Sequence, residues 1–458
     1  MINKKILPII FLVFTFCNQT NQEQVVKVGE SQVGNQIEPT ETTISSVDLP
    51  KYYLNEKNIP IQKDLYHTSF DSCIDFLGSN QKVSCEGNYE SIKSVVFEEG
   101  MVNTLIHNNH IYVVIKKGVI YKYDYENDNK SIFFESENIL NKQEAGLLGI
   151  AISDSNNTLA ISYVNSDSLL VVDRYKYESY EKINEFVFDK RLFEQEMKNP
   201  YTHIGGNIIW SKYFQSYLLS VGDNQEPNEF SRLNPVPLAT DSNLGKIVAL
   251  KDLDIDVPII RHSEEDKIVN ALAFGLRNPW QFFEYRDYLI IADVGLSINE
   301  ELNVVKLANL PASFGWPIFE GGSTSKDIDN IEDYKLDINY YINSNKISTE
   351  ETFNKLYKES VNPSFFYNHY PTENDYRAAI IGGDIILDND SKYIFNIVTV
   401  DINTNELFLY NLTSRELTLI PPIEKIGSTT SIRSFSNGLS DLVASTFEGN
   451  LLFLKINE

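Results

Sequence analysis

The stretch IVNALAFGLRNPWQFFEYRDYLIIADVGLSINEELNVVKLANLPASFGWPIFEGG, residues 268–322, decides the fold. Short runs of alternating apolar and polar residues recur in it, and the runs end at turn signals such as Gly275 and Asn278-Pro279. Alternation with a period of two is typical of half-buried β-strands, and Pro279 keeps Asn278 out of helical geometry. We therefore predict four short antiparallel strands in a row, which form one meander starting near residue 269.

The same pattern recurs along the chain, with Asn, Asp or Gly at the bends. Six such meanders start near residues 103, 147, 203, 269, 378 and 431. Radial repetition of small sheets leaves only short strand edges exposed, which favours a propeller. The sequence thus predicts an all-β, six-bladed β-propeller over residues 96–458, and the alternative is a pair of β-sandwiches. Long loops interrupt the repeat, chiefly residues 184–202, 224–243 and 323–376.

Composition limits the function classes. The chain has 458 residues, of which 42% are hydrophobic, and it can bury a large core. Its formal net charge of −25 argues against binding nucleic acid or an anionic membrane surface, because both require a basic footprint. Solubility is the simplest role for this charge.

The N-terminus is typical of an export signal. Lys4 and Lys5 precede an apolar run from Ile6 to Phe16 that is too short for a convincing membrane span. Cys17 ends this run, as in bacterial lipoprotein signals, so we expect lipidation at Cys17 and a periplasmic or cell-surface location. Ordinary secretion is the alternative, because the residue before such a cysteine is usually small and Phe16 is large. This assigns residues 1–17 to export.

Two further segments precede the predicted propeller. Residues 18–48 are rich in Gln, Glu, Ser and Thr, which indicates a flexible tether. Residues 49–95 are irregular in pattern and predict an N-terminal extension that packs on the main domain. They hold Cys73 and Cys85, and an even number of cysteines in an exported chain predicts a disulfide between them. Two free buried thiols are the alternative.

His203 is the first candidate for chemistry. It is one of six histidines and stands just before Gly205 and Gly206, which permit close approach of the backbone to a ligand. Imidazole is the natural base near neutral pH, so we take His203 as a candidate base. A structural role is the alternative, as for most single histidines.

Arg277 and Asn278 are candidate binding residues within the GLRNPW segment. Arginine supplies a planar cationic fork suited to carboxylates or quinone oxygens, and asparagine can both donate and accept. The alternative is an Asn-Pro turn without a ligand.

The loop that follows, from Asp293 through Gly295 and Leu296 to Glu300 and Glu301, is rich in oxygen ligands. Calcium prefers carboxylates and backbone carbonyls, so this loop predicts a calcium site. The alternative is an ordinary acidic loop of an acidic protein. The sequence contains no Gly-rich phosphate loop, no nucleophilic Ser or Cys signature and no EF-hand.

Together these motifs resemble the glucose/sorbosone dehydrogenase family, the soluble sugar dehydrogenases that depend on pyrroloquinoline quinone (PQQ). GLRNPW followed by DVG and FGWP is a specific combination, and the resemblance covers roughly residues 145–400. The matching segments, in order, are EAGLLGIAI (144–152), HIGGNIIW (203–210), LLSVGD (218–223), LGKIVAL (244–250), AFGLRNPWQF (273–282), ADVGLSINEELNVV (292–305), FGWPIFEGG (314–322) and IIGGDII (380–386).

The resemblance implies a six-bladed propeller that oxidises a sugar at C1 to the lactone. His203 matches the family's base, which takes the proton of the anomeric hydroxyl, while a hydride passes to PQQ. Arg277 and Asn278 match the residues that hold the quinone oxygens, and the carbonyls of Gly295 and Leu296 match the calcium site that polarises PQQ. A sugar or aldehyde and an electron acceptor are the implied partners.

The chain also departs from the family pattern. Leu296 and Phe314 stand where the family often has Pro and Tyr. The fifth-blade segment VDINTNELF (400–408) contains none of the arginines expected to pair with the carboxylates of PQQ, although Arg377 or Arg415 could substitute. Some relatives, such as Hedgehog-interacting protein, keep the propeller and bind proteins. A non-catalytic extracellular propeller that binds a protein or carbohydrate is therefore the alternative function.

Overall fold

Strands account for most of the regular structure in the part of the chain that is described. The computed structural model describes residues 83–85, 87–179, 183–225, 236–238, 242–250, 270–296, 299–317, 319–321, 323–324, 360–369, 377–387 and 391–457. Within these ranges there are β-strands, turns and three short 3₁₀ segments, but no α-helix. A helix of the length and apolarity needed to cross a membrane is likewise not found in these ranges.

Two strands come before the first complete sheet: β1 (Val83–Cys85) and β2 (Asn88–Val96). The first sheet, blade 1, then comprises, from the axis outwards, β3 (Met101–His107), β4 (His110–Ile115), β5 (Val119–Asp124) and β6 (Asn129–Glu135). Blade 2 comprises β7 (Leu147–Ser153), β8 (Thr158–Val164), β9 (Leu169–Lys176) and β10 (Val187–Glu196). Blade 3 comprises β11 (Gly205–Ser211), β12 (Ser216–Val221), β13 (Lys246–Leu250) and β14 (Ala271–Phe274).

The remaining blades follow the same order. Blade 4 comprises β15 (Pro279–Tyr285), β16 (Tyr288–Asp293), β17 (Asn299–Lys306) and β21 (Phe365–Asn368). Three short strands lie between β17 and β21 in the chain and are not part of this sheet: β18 (Ala312–Ser313), β19 (Phe319–Glu320) and β20 (Ser323–Thr324). Blade 5 comprises β22 (Ile380–Ile385), β23 (Asn396–Asp401), β24 (Leu407–Asn411) and β25 (Leu417–Ile420). Blade 6 comprises β26 (Thr429–Ser434), β27 (Leu442–Thr446), β28 (Asn450–Asn457) and β2.

The six blades form a closed ring. The innermost strands β3, β7, β11, β15, β22 and β26 contact one another in this order, and β26 contacts β3 again. Within each blade the neighbouring strands are antiparallel, as in β15–β16–β17. This arrangement confirms the predicted six-bladed β-propeller and rules out the pair of sandwiches.

The strand that closes the ring is β2, and it corrects the predicted start of the propeller at residue 96. Residues 49–95 were expected to be an irregular extension, yet β2 pairs antiparallel with β28 over Asn88–Val96 and is the outer strand of blade 6. β1 adds a further, parallel strand to blade 5 beside β25. Strands from both ends of the chain thus share blade 6, which ties the first and last blades together and leaves the ring without a gap.

The fourth meander begins later than predicted. The run around VNALAFGL was expected to supply its first strand, but β14 pairs with β13 and completes blade 3. The innermost strand of blade 4 is β15, which starts at Pro279. Alternation alone could not reveal this, because an outer strand and an inner strand have the same period. As a result, Arg277 and Asn278 lie in the connection between two blades.

Apolar layers between neighbouring blades form the core. Leu148 and Ile208 belong to the layer between blades 2 and 3, and Ile290 and Phe408 to the layer between blades 4 and 5. Each fully buried side chain of this size stabilises the fold by about 1.5–3 kcal/mol. The blades are therefore packed sheet on sheet, and the loops at their ends are held on a rigid frame.

Polar side chains close the central channel. Asn103 of β3 donates to Asn207 Oδ1 at 3.0 Å and accepts from Gln281 and Arg433 at 3.3 and 2.9 Å. Arg433 also donates to the carbonyl of Gly383 at 2.8 Å. These side chains come from innermost strands of different blades, so they join the blades across the axis and form a floor beneath the loops of one face.

Several sequence predictions fall outside the described residues. Cys17, the export segment and the tether lie there, and so does Cys73. Cys85 at the end of β1 is disulfide-bonded. Its pairing with Cys73 stays a prediction.

Candidate active site

His203 lies in the connection between blades 2 and 3, two residues before β11. It is buried and has a φ of 50°, in the left-handed region that side chains other than glycine seldom adopt. Gly222 allows this conformation, because a Cβ there would come within 2.1 Å of the His203 carbonyl oxygen. The close approach of two backbone segments thus fixes where the imidazole ring points.

Asp223 holds one nitrogen of this ring. Nδ1 of His203 lies 2.6 Å from Oδ1 of Asp223, and both side chains are almost fully buried. Asp223 follows β12, the second strand of the same blade, so one sheet supplies both residues. A carboxylate at this nitrogen orients the ring and stabilises its protonated form.

Arg277 contacts the other nitrogen. Its Nη2 lies 2.9 Å from Nε2 of His203, while Nη1 donates to the carbonyls of Val294 and Gly295 at 2.9 and 2.6 Å. A guanidinium can only donate, so Nε2 must be the acceptor. The ring proton is therefore on Nδ1, which donates to Asp223. The hydrogen bonds select the tautomer in which Nε2 carries the basic lone pair.

Asp293 fixes the turn that carries Arg277 and Asn278. Its carboxylate accepts the backbone N–H of Arg277 at 2.9 Å and that of Asn278 at 2.8 Å. Burial, together with the nearby charge of Glu301, raises the pKa of Asp293 well above its usual range. Asp293 occupies the end of β16, as Asp223 follows the end of β12, and so blades 3 and 4 both carry a buried aspartate at the end of the second strand.

Two buried polar atoms in this turn have no partner among the described residues: Nε of Arg277 and Oδ1 of Asn278. Leaving a buried donor or acceptor without a hydrogen bond is costly. A buried donor and a buried acceptor in the turn that contacts His203 are suited to a polar ligand, which would satisfy both.

Trp316 completes the arrangement. Its Nε1–H donates to Oδ2 of Asp223 at 2.9 Å, and its ring centroid lies 5.7 Å from Cζ of Arg277. This distance is within the range of a cation–π contact. Trp316 thus touches both partners of His203.

Glu300 and Glu301 have other contacts than those predicted for calcium ligands. Glu300 accepts the N–H groups of Gly295, Ala379 and Ile380 and forms an ion pair with His369, whose Nε2 lies 2.5 Å away. Burial disfavours the charge on each partner, but the pairing outweighs burial; the pKa of Glu300 is lowered and that of His369 is raised. Glu300 thereby joins the loop of blade 4 to the start of blade 5.

The carboxylate of Glu301 is likewise hydrogen-bonded to other groups of the protein. It accepts the backbone N–H of Gly321 and the side-chain amide of Asn303. Burial raises the pKa of Glu301 to about 7. In the described part of the chain, no group of three or more His, Cys, Asp or Glu is arranged to hold a metal ion. Backbone carbonyls are a different kind of ligand, so the site at Gly295 and Leu296 stays a prediction.

Blade 5 presents a second arginine shortly before its innermost strand, as blade 4 does with Arg277. Arg377 lies three residues before β22 and is buried. Its Nε and Nη2 donate to the two carboxylate oxygens of Glu406 at 2.6 and 2.9 Å. Nearby, Asp401 is buried at the end of β23, and burial raises its pKa to about 7. Acidic residues therefore stand on blade 5 where the family resemblance implies arginines.

The structure thus brings His203 and Arg277 into contact, as well as Asp223 and Trp316, for which the sequence predicted no role. Asp223 and Trp316 stand within matched motifs, LLSVGD and FGWPIFEGG, yet neither motif states what its polar atom contacts. A signal existed for Asp223: the second strands of blades 3, 4 and 5 are followed by or end in an aspartate, at 223, 293 and 401.

The chain belongs to the glucose/sorbosone dehydrogenase family. The family's sequence profile matches residues 98–358, more than half of the 458 residues. No curated protein sequence matches the chain.

Solved structures show the same fold. The PQQ-bound aldose sugar dehydrogenase from Streptomyces coelicolor is 14% identical with a TM-score of 0.57, over 82% of this chain and 99% of that one. The apo form of the soluble aldose sugar dehydrogenase from Escherichia coli has the same identity and TM-score, over 80% and 99%. A glucose dehydrogenase from Thermus thermophilus is 13% identical with a TM-score of 0.55, over 81% and 100%.

Proposed function

We propose that this protein is a sugar dehydrogenase that oxidises an aldose at C1 to the lactone, with His203 as the base. The observation that carries the proposal is the 2.6 Å contact between Nδ1 of His203 and Asp223, which leaves Nε2 as the basic atom beside Arg277. Membership of the family supports a sugar as the substrate.

In this mechanism Nε2 of His203 accepts the proton of the anomeric hydroxyl. The resulting imidazolium keeps its Nδ1–H bonded to Asp223, whose negative charge stabilises it. Loss of the proton raises the electron density on C1 and assists departure of its hydrogen as a hydride. PQQ, when bound, would supply the acceptor of these two electrons.

Arg277 must leave Nε2 before this step. A nitrogen that takes up a proton becomes a donor and can no longer accept from a guanidinium. A quinone oxygen bound beside this turn would accept the N–H groups of Arg277 in place of Nε2. Arg277 and Asn278 would hold the quinone oxygens through their N–H groups, which fits the unpartnered Nε of Arg277. The unpartnered Oδ1 of Asn278 is an acceptor and would take a donor, such as a sugar hydroxyl.

The carboxylate end of PQQ fits the described residues less well. Arg377 is engaged by Glu406, and Arg433 donates to amide and carbonyl oxygens in the channel floor. An anion in the pocket needs a cation nearby, since an unpaired buried charge is costly. Binding of PQQ would therefore require Arg377 to exchange Glu406 for a cofactor carboxylate.

Calcium would take the carbonyls of Gly295 and Leu296, as the family resemblance implies. The Gly295 carbonyl at present accepts from Arg277 at 2.6 Å. A calcium ion and a guanidinium repel each other and would compete for the same carbonyl oxygen. Calcium binding would thus favour release of Arg277 from this carbonyl.

A non-catalytic propeller that binds a carbohydrate or a protein is the second candidate. The pairing of Arg377 with Glu406 favours it, because the arginine that precedes the innermost strand of blade 5 is then bound to a protein carboxylate. Arg415, the other arginine considered for this role, lies in the exposed turn between β24 and β25. The residues around His203 would in that case contact a neutral ligand through hydrogen bonds.

For location we propose export, with the protein held at a membrane surface through a lipid on Cys17. The basic residues and apolar run before Cys17 support this. An exported dehydrogenase also needs an electron acceptor outside the cytoplasm.

The test is reconstitution of the full-length protein with PQQ and calcium, followed by dye reduction across a set of aldoses. Dye reduction that depends on PQQ and disappears in H203A supports the dehydrogenase. Titration calorimetry with PQQ alone provides the second measurement, in the wild type and in E406Q. E406Q should bind PQQ more tightly, because it frees Arg377. Failure of both proteins to bind PQQ would favour the binding propeller.

A further inference from the structure

Trp316 contacts both groups that determine the chemistry of His203. Its indole N–H donates to Oδ2 of Asp223 at 2.9 Å, while Oδ1 of the same carboxylate faces Nδ1 of His203. A carboxylate held at one oxygen cannot rotate freely, so the direction of the other oxygen is fixed as well. The hydrogen bond from Trp316 therefore aims Asp223 at the imidazole ring.

The ring of Trp316 contacts Arg277, the other residue bonded to His203. Cζ of Arg277 lies 5.7 Å from the ring centroid, and the two side chains are 3% and 4% exposed. A guanidinium near an aromatic face is attracted by the π electrons, the more so where water is excluded. This contact holds the guanidinium of Arg277 near His203.

The backbone of Trp316 is fixed to blade 3, which also carries Asp223. Its N–H donates to the carbonyl of Gly275 at 2.8 Å, just beyond β14. β18, two residues before Gly315, pairs parallel with β14. Gly315 has a φ of 90°, which favours glycine, and the chain turns there to direct the indole inwards. The indole is thus part of a rigid support.

We infer that Trp316 is the positioning residue of the base: its N–H orients Asp223, its ring holds Arg277, and together they fix the tautomer and orientation of His203. The catalytic consequence rests on the proposed function. The structural consequence, an ordered hydrogen bond between His203 and Asp223 that depends on the indole N–H, can be measured without turnover.

The experiment uses the full-length protein labelled with ¹⁵N-histidine. A buried proton shared between imidazole and carboxylate gives a resolved downfield signal, which H203A assigns to His203. W316F removes the indole N–H and keeps an aromatic ring. A second variant carries 3-benzothienylalanine at position 316, which keeps the bicyclic ring and lacks only the N–H. W280F is the matched control, since Nε1 of Trp280 donates to the Thr430 carbonyl at 3.2 Å in the channel floor.

We expect the His203 signal to shift or broaden in both Trp316 variants and to stay in place in W280F. In the dye assay, kcat should fall about tenfold or more with little change in KM, as for loss of a hydrogen bond to a charged group. An unchanged signal in the benzothienyl variant would overturn the inference. If the wild type oxidises no aldose, the proposed function fails, while the signal still decides the role of Trp316.

Discussion

Nη2 of Arg277 lies 2.9 Å from Nε2 of His203, so a cation covers the nitrogen that acts as the base in the proposed reaction. The other ring nitrogen is bonded to Asp223. Both nitrogens of the imidazole are therefore bonded to protein side chains, and this arrangement has a chemical consequence that can be measured.

We predict that diethylpyrocarbonate modifies His203 slowly in the wild type and at least about tenfold faster in R277A, because the reagent needs a free lone pair on the ring. Peptide mass spectrometry over time gives the rate at each histidine. R286A, which changes an exposed arginine in the β15–β16 turn, is the control and should behave as the wild type. Equal rates in R277A and R286A would contradict the covering of Nε2.

Substitution of the base and of its carboxylate should reduce turnover in different ways. H203A removes the base and should lower kcat by roughly 10²–10⁴ with little change in cofactor affinity. D223N should also lower kcat strongly, because an amide N–H can donate to Nδ1 and force the ring proton onto Nε2. Stopped-flow dye reduction and PQQ titration separate these effects. Unchanged turnover in H203A would remove the base assignment.

Calcium should raise the melting temperature after thorough chelation, because a ligand that binds only the folded state stabilises it. At 100 times Kd the gain is about 2.7 kcal/mol. R277A should show the larger shift, since the guanidinium no longer occupies the Gly295 carbonyl. Differential scanning fluorimetry with calcium and with magnesium measures the effect. Absence of a shift in both proteins would count against a cation site at this loop.

Asp401 should make the protein less stable as the pH rises. Burial raises its pKa to about 7, whereas an aspartate in the unfolded chain titrates near about 4. Between these two pH values Asp401 binds its proton more tightly in the folded state than in the unfolded state. Its contribution to the free energy of unfolding is therefore present at low pH and is lost as the pH rises towards 7. The slope for one group is at most about 1.4 kcal/mol per pH unit.

Urea unfolding at pH 5, 6, 7 and 8 tests this prediction. D401N has no charge to bury and should show a smaller decrease in the free energy of unfolding over this range. A residual slope of the same sign should remain from Glu301, whose pKa is also about 7. D287N, at an exposed turn, is the control and should keep the wild-type slope. An equal slope in D401N and D287N would contradict the role of Asp401.

The sequence by itself determined the fold class, the number of blades and the candidate residues His203, Arg277 and Asn278. Alternation and turn residues are local signals, and six repetitions of one local pattern are enough to predict a propeller. The family motifs extended this to a dehydrogenase, because GLRNPW, DVG and FGWP occur in a specific order.

Only the tertiary structure decided which strands share a blade and which polar atoms meet. β14 belongs to blade 3 because it pairs with β13, and β2 belongs to blade 6 because it pairs with β28. The alternation of apolar and polar residues predicts a strand but does not indicate its partner. Glu300 and Glu301 suited calcium by residue type, yet folding brought backbone N–H groups and His369 to them. Trp316 and Asp223 are 93 residues apart, and only the packing of a loop against blade 3 could bring the indole N–H to the carboxylate.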